Sequence, residues 1–64
     1  MPVVHVSLIE GRSKAQKKAM AEEITNTIHK HAGSPKEVIT VVFHDVGGDS
    51  WAAGGTLFSD RKKA

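Results

Sequence analysis

Hydrophobic and polar residues alternate from residue 2 to residue 9, Pro-Val-Val-His-Val-Ser-Leu-Ile. A period of two puts Val4, Val6 and Leu8 on one face and Val3, His5, Ser7 and Ile9 on the other. That is the pattern of a strand with one strongly apolar face and one mixed face. Pro2 at its head removes no ladder bond, since a first strand residue tolerates proline. After the turn Glu10-Gly11-Arg12 the period lengthens. Met20, Ile24 and Ile28 recur at every fourth position, and Ala21 and Ala32 widen the stripe. Lys14, Lys17, Lys18, Glu22 and Lys30 fall mostly outside it. The pattern predicts an amphipathic helix from Ser13 to His31 or Ala32. Ser13-Lys14-Ala15-Gln16 has the spacing of a capping box, Gly33 suits the helix end, and Pro35 prevents continuation.

Residues 38 to 46, Val-Ile-Thr-Val-Val-Phe-His-Asp-Val, are β-branched and aromatic and predict a second strand. A whole helix lies between the strands, so they run parallel with a right-handed crossover. Gly47-Gly48-Asp49-Ser50 reads as a loop, Trp51 to Phe58 as a short extended piece or hairpin, and Ser59 to Ala64 as a polar tail. Gly47-Gly48 and Gly54-Gly55 suggest positive φ and close packing rather than a phosphate loop, whose residue order they lack. The expected fold class is α+β. It comprises a β-α-β unit of two parallel strands and one long helix, a short C-terminal hairpin, and a single domain over residues 1–64.

One helix covers one face of a two-stranded sheet, yet both strands carry apolar residues on both faces. A two-stranded sheet is marginal by itself. The chain has 64 residues, and a domain of that size buries only about 60% of its unfolded surface. It has no cysteine, which excludes disulfides, thiolate metal sites and cysteine catalysis. Symmetric self-association is therefore the expected source of the missing cover. The net charge of +2, one Trp, two Phe and no Tyr give no electrostatic or stacking case for nucleic acid. No apolar stretch approaches the ~18 residues of a membrane span, and no signal peptide is visible. The expectation is a cytoplasmic protein without nucleic-acid or membrane partners.

Candidate chemistry starts at residue 2. A small second residue permits removal of the initiator methionine, which would free the Pro2 nitrogen as a secondary amine. Apolar burial and neighbouring cations favour the uncharged amine, the form that serves as a general base. The inert alternative is an ordinary Met-Pro chain start. Arg12, just before a helix N-cap, suits a carboxylate: its guanidinium binds such a group bidentately and the helix N-terminus favours anions. The inert alternative there is a solvated turn arginine. His5 and His44 can approach each other across parallel strands, but no spacing supplies a third metal ligand. His29 and His31 are two apart on the helix and do not share a face. Glu10 suits an ion pair or turn, and Arg61-Lys62-Lys63 a solvated basic tail.

Taken together, Pro2, Leu8-Ile9-Glu10-Gly11-Arg12-Ser13, Gln16-Lys17, Gly33 to Pro35 and Trp51-Ala52-Ala53-Gly54-Gly55 resemble the 4-oxalocrotonate tautomerase family over essentially the whole chain. The resemblance implies the tautomerase β-α-β fold, a homohexamer built as a trimer of dimers, and an isomerase without cofactor or metal. It implies Pro2 as catalytic base and Arg12 as the residue that binds a small carboxylate substrate. Trp51 stands where the family commonly has Phe and keeps a large apolar wall. The family's well-studied members carry a second arginine near the start of strand two, where this chain has Thr40. Losing such a charged donor at a developing enolate costs about 3–4 kcal/mol of transition-state stabilisation. A monocarboxylate enol that needs one cation, or substitution by His44 or Arg61, are the two outcomes. The expected activity is enol–keto tautomerisation of small 2-hydroxydienoate or 2-oxo acids. The alternatives are a proline-dependent hydratase or dehalogenase of unsaturated acids, and a non-catalytic oligomeric module.

Overall fold

The computed structural model describes residues 1–61, so Lys62, Lys63 and Ala64 of the expected polar tail lie outside the described residues. Strand β1 spans Val3–Ile9, helix α1 Lys14–Ala32 and strand β2 Thr40–Val46. Strands β3 (Ala52–Ala53) and β4 (Thr56–Leu57) form a small antiparallel hairpin. β1 and β2 pair in parallel, from Val3 opposite Thr40 to Ile9 opposite Val46. The β-α-β unit and terminal hairpin are those the sequence predicts.

The helix begins where its cap dictates. The Gln16 amide donates to Ser13 Oγ at 3.1 Å, and the Ser13 amide donates to Gln16 Oε1 at 2.8 Å. Both arms of the capping box are made, and two otherwise orphaned amides are satisfied. The helix ends on Gly33 at φ 77°, where its amide reaches the His29 carbonyl. A side chain would strain that left-handed backbone. His29 Nδ1 hydrogen-bonds the Ser34 carbonyl at 2.7 Å and holds the chain as it leaves the helix.

Strand two starts at Thr40 rather than residue 38, because Lys36–Val38 form a 3-10 turn. Pro35, at φ −60°, accepts at its carbonyl from the Val38 amide, and the Ile39 amide donates to the Lys36 carbonyl. Those amides are therefore withdrawn from the sheet. Gly48–Ser50 likewise form a 3-10 turn instead of an irregular loop. Of the two glycine pairs, only Gly54 and Gly55 take positive φ, 61° and 83°, which is the requirement of a type I′ hairpin turn. Gly47 has φ −68°. Gly48 serves close approach: a Cβ there would lie 3.2 Å from the Phe58 ring.

Register sorts the sheet into two faces. Val4, Val6 and Leu8 share one with Val41, Phe43 and Asp45, under α1. The helix meets them with Lys17, Met20, Ala21, Ile24, Thr25 and Ile28, all half-buried, while Ala32 is exposed and lies off the stripe. Lys17 forms an ion pair with Asp45, which lets a strand carboxylate sit on the helix side. The opposite face carries Val3, His5, Ser7 and Ile9 beside Thr40, Val42, His44 and Val46, and no element among the described residues covers it. Among the described residues Ile39 is the one buried hydrophobic residue, at 9% exposure. The radius of gyration is 15.0 Å, against about 11 Å for a compact chain of this length. Among the described residues no helix is long and apolar enough to cross a membrane.

Candidate active site

Pro2 stands at the head of β1. Its carbonyl accepts from the Thr40 amide at 3.0 Å, the last rung of the parallel ladder. The proline ring is half-buried, while Met1 before it is 92% exposed and packs on nothing in its own chain. Alternation puts the Pro2 ring on the helix side with Val4, and the Thr40 side chain on the open side with Val3. Beside this end of β1 an apolar groove opens between strand and helix, lined by Val4, Glu23, Ile24, Thr27 and Ile28. It arises because α1 packs chiefly on β2. The groove sets the apolar side chains of Val4, Ile24 and Ile28 beside the Glu23 carboxylate and the Thr27 hydroxyl.

Arg12 and Trp51 lie at the other end of the sheet. The Glu10 amide donates to the Val46 carbonyl at 2.9 Å, which ties the β1–α1 connection to the end of β2. Gly11, at φ 125°, turns the chain there in a conformation open to glycine and strained for other residues. Arg12 follows, exposed, immediately before the N-cap of α1. The first helical turn carries no acidic residue, so the positive end of the helix dipole beside Arg12 is uncompensated within that turn. Trp51 follows the Gly48–Ser50 turn and is half-buried, and its carbonyl accepts from the Phe58 amide at 2.7 Å. Arg61 folds back on the hairpin, with Nη2 3.5 Å from the Ala53 carbonyl.

The four candidate residues thus fall into two separate groups. Pro2 and Thr40 are neighbours through the backbone, and Arg12 and Trp51 share the opposite end. The seven residues of β1 separate the two by about 23 Å. One chain does not bring base and carboxylate-binding arginine together.

The Lys17–Asp45 pair and the groove near Pro2 are not among the features expected from sequence. Lys17 was detectable as a charged residue three positions before Met20, within the apolar stripe. Asp45 was detectable as a carboxylate at a helix-facing strand position. The groove had no sequence signal, because it depends on how the helix lies across the strands. His5 and His44 do meet, with Nδ1 and Nε2 3.1 Å apart.

Residues 2–61 match the profile of the tautomerase enzyme family. A probable tautomerase of Ralstonia nicotianae is 47% identical over 60 residues, covering 94% of this chain and 92% of its own. Another, from Lactococcus lactis, is 54% identical over 46 residues, 72% of this chain and 75% of its own. Among solved structures, a 4-oxalocrotonate tautomerase homologue superposes with a TM-score of 0.91 at 38% identity, over 98% of this chain and all of that one. A structure from work on the 4-oxalocrotonate tautomerase isozymes of Methylibium petroleiphilum gives 0.86 at 38% identity, over 91% and 94% of the two chains. The heterohexameric 4-oxalocrotonate tautomerase of Chloroflexus aurantiacus shares the fold, with a TM-score of 0.90 at 21% identity over 97% and 100%. From the fold, the whole-chain match and these relatives, the protein belongs to the tautomerase family, as a homologue of 4-oxalocrotonate tautomerase, and is an isomerase.

Proposed function

We propose that the protein is a cytoplasmic enol–keto tautomerase of small 2-hydroxydienoate or 2-oxo acids, with Pro2 as general base once Met1 has been removed. The free proline nitrogen takes the hydroxyl proton of the enol. The resulting enolate becomes the ketone as the protonated proline returns a proton to carbon, so the reaction is a net isomerisation. Arg12 of a neighbouring copy anchors the substrate carboxylate, and Trp51 forms the apolar wall. The assembly is a homohexamer in this reading, and it exists partly because neither group is a complete site in one chain.

The observation that carries the reading is the seat of Pro2. Its carbonyl is fixed by the Thr40 amide, its nitrogen makes no ladder bond, and the groove near it is lined by Val4, Ile24 and Ile28 together with Glu23 and Thr27. An amine held rigidly at the head of the strand beside aliphatic side chains has the fixed position that a base needs. Met1 contributes no packing in its own chain, so its removal disturbs nothing within the fold.

Thr40 narrows the substrate. At the place of a second cation it offers one neutral hydroxyl, so the preferred substrate is a monocarboxylate such as an aryl or alkyl enolpyruvate. Two measurements test the proposal. Intact mass spectrometry of purified protein is expected to give the mass without Met1. Pro2→Ala is expected to lower kcat/KM for phenylenolpyruvate ketonisation by at least ~100-fold, the lower range for removing a general base. Retained Met1 in an active preparation, or an undiminished Pro2→Ala enzyme, overturns the role of proline. Hydration of 3-chloroacrylate at a rate above that of ketonisation would assign the hydratase chemistry instead.

A further inference from the structure

The open face of the β1–β2 sheet holds a side-chain pair that the proposed chemistry does not use. His5 Nδ1 and His44 Nε2 are 3.1 Å apart, the ring centroids are 5.4 Å apart, and the ring planes are inclined by 19°. The centroid separation exceeds the nitrogen separation by the two ring radii. The imidazoles therefore lie end to end and share an N–H···N bond, rather than stacking face to face. Such a bond needs one ring to donate and the other to accept, so at least one imidazole must be neutral. A shared metal would need both lone pairs to converge away from the line joining the nitrogens. Among the described residues no group of three or more His, Cys, Asp or Glu side chains converges.

The surroundings of the pair are uncharged. Val3, Ser7, Ile9, Thr40, Val42 and Val46 share its face, with no carboxylate and no further cation. Asp45 projects through the sheet to Lys17, and α1 packs on that far side, so it adds no ionisable group here. The amino end of the chain lies three strand residues from His5, about 10 Å away. A second copy would bring the same apolar residues and its own imidazole pair.

A second copy is what this face fits. The chain exposes 4952 Å², while a compact monomer of 64 residues exposes about 4,000 Å². The excess is close to the ~800 Å² that each partner contributes to a standard interface. An apolar, nearly chargeless patch of self-complementary residues is suited to its own symmetry mate.

We propose that the His5–His44 pair is a pH-sensitive lock on self-association: the open sheet face packs against a second copy only while at least one imidazole of each pair is neutral. Charging both rings breaks the shared bond and sets like charges nitrogen to nitrogen. The interface has no counter-charge and little water to screen them. Acid then favours the separated chains, where the two cations are hydrated. By linkage, each protomer that binds one extra proton on release weakens assembly by up to about tenfold per pH unit. The composite active site is lost with the assembly. This inference rests on the self-association in the functional reading above, though not on the tautomerase chemistry.

The test is sedimentation velocity of the full chain from pH 8 to pH 5.5 at fixed ionic strength, for wild type and the double variant His5→Gln, His44→Gln. Glutamine retains hydrogen bonding and cannot charge. Wild type is expected to be assembled at pH 8 and to dissociate in acid, with its dissociation constant rising at least about tenfold. The double variant is expected to keep its pH 8 assembly throughout. Wild type assembled and insensitive to pH, or a double variant that shifts as far as wild type, overturns the lock. Wild type already monomeric at pH 8 overturns the self-association reading itself. Should the double variant not assemble at pH 8, nitrogen NMR of the wild-type imidazoles decides. A second protonation that coincides with the smaller species supports the lock, and rings that titrate with no change in assembly overturn it.

Discussion

Position 40 shows how one side chain can set substrate choice without touching the fold. Thr40 is exposed, and the ladder uses its backbone amide, not its hydroxyl. Thr40→Arg therefore adds a cation at little cost to the sheet. A charge-assisted bond to a second carboxylate is worth roughly 1.5–3 kcal/mol. The variant is expected to gain at least ~10-fold in kcat/KM on a dicarboxylate dienol relative to a monocarboxylate enol, measured on both substrates in parallel. Arg12 answers to the opposite test. It has no partner bond in its own chain among the described residues, so Arg12→Ala should leave the circular dichroism spectrum and assembly unchanged. Its KM for a carboxylate substrate is expected to rise by about 10- to 100-fold, in line with a lost charged hydrogen bond. Unchanged KM would place the carboxylate elsewhere.

The elements are held by local chemistry that reads directly from sequence. Ser13 and Gln16 form the capping box that their spacing implied, and Gly33 sits in the left-handed conformation expected of a helix stop. Ser13→Ala should destabilise the protein by about 1 kcal/mol. At fixed protein concentration that lowers the melting temperature by roughly 4–8 °C, readable in a thermal scan. The helix, both strands and the hairpin were legible because each is set by neighbours a few residues away: alternation, a four-residue stripe, a cap, two glycines. The start of β2 was less so. Val38 and Ile39 are good strand residues, but Pro35 diverts their amides into a turn, and a proline three positions upstream outweighed side-chain propensity. The candidate site residues, Pro2, Arg12, Thr40 and Trp51, came from sequence alone, and the structure adds where each one stands. The strand predicted between Pro2 and Arg12 already sets them at opposite ends, whereas the groove near Pro2 depends on how the helix lies across the strands.

At the scale of the whole molecule, the proposal makes the chain a part whose counterparts are other copies of itself. A radius of gyration of 15.0 Å with a single buried hydrophobic residue among those described leaves too little core to hold 64 residues in place. Folding and assembly should therefore be one equilibrium, with a melting temperature that rises with protein concentration. Val3 offers the sharpest probe. It is 53% exposed in the single chain and lies on the open face, so Val3→Asp costs little within one protomer. In an interface between copies the same carboxylate would be desolvated without a cationic partner, a penalty of several kcal/mol. Val3→Asp is thus expected to sediment as a smaller species than wild type and to melt lower at equal concentration. Ala19→Glu, on the exposed side of α1, serves as the matched control and should keep the wild-type size. A Val3→Asp protein of wild-type size would mean that the sheet face is not where copies meet, and that the excess surface is covered from the helix side or through the hairpin.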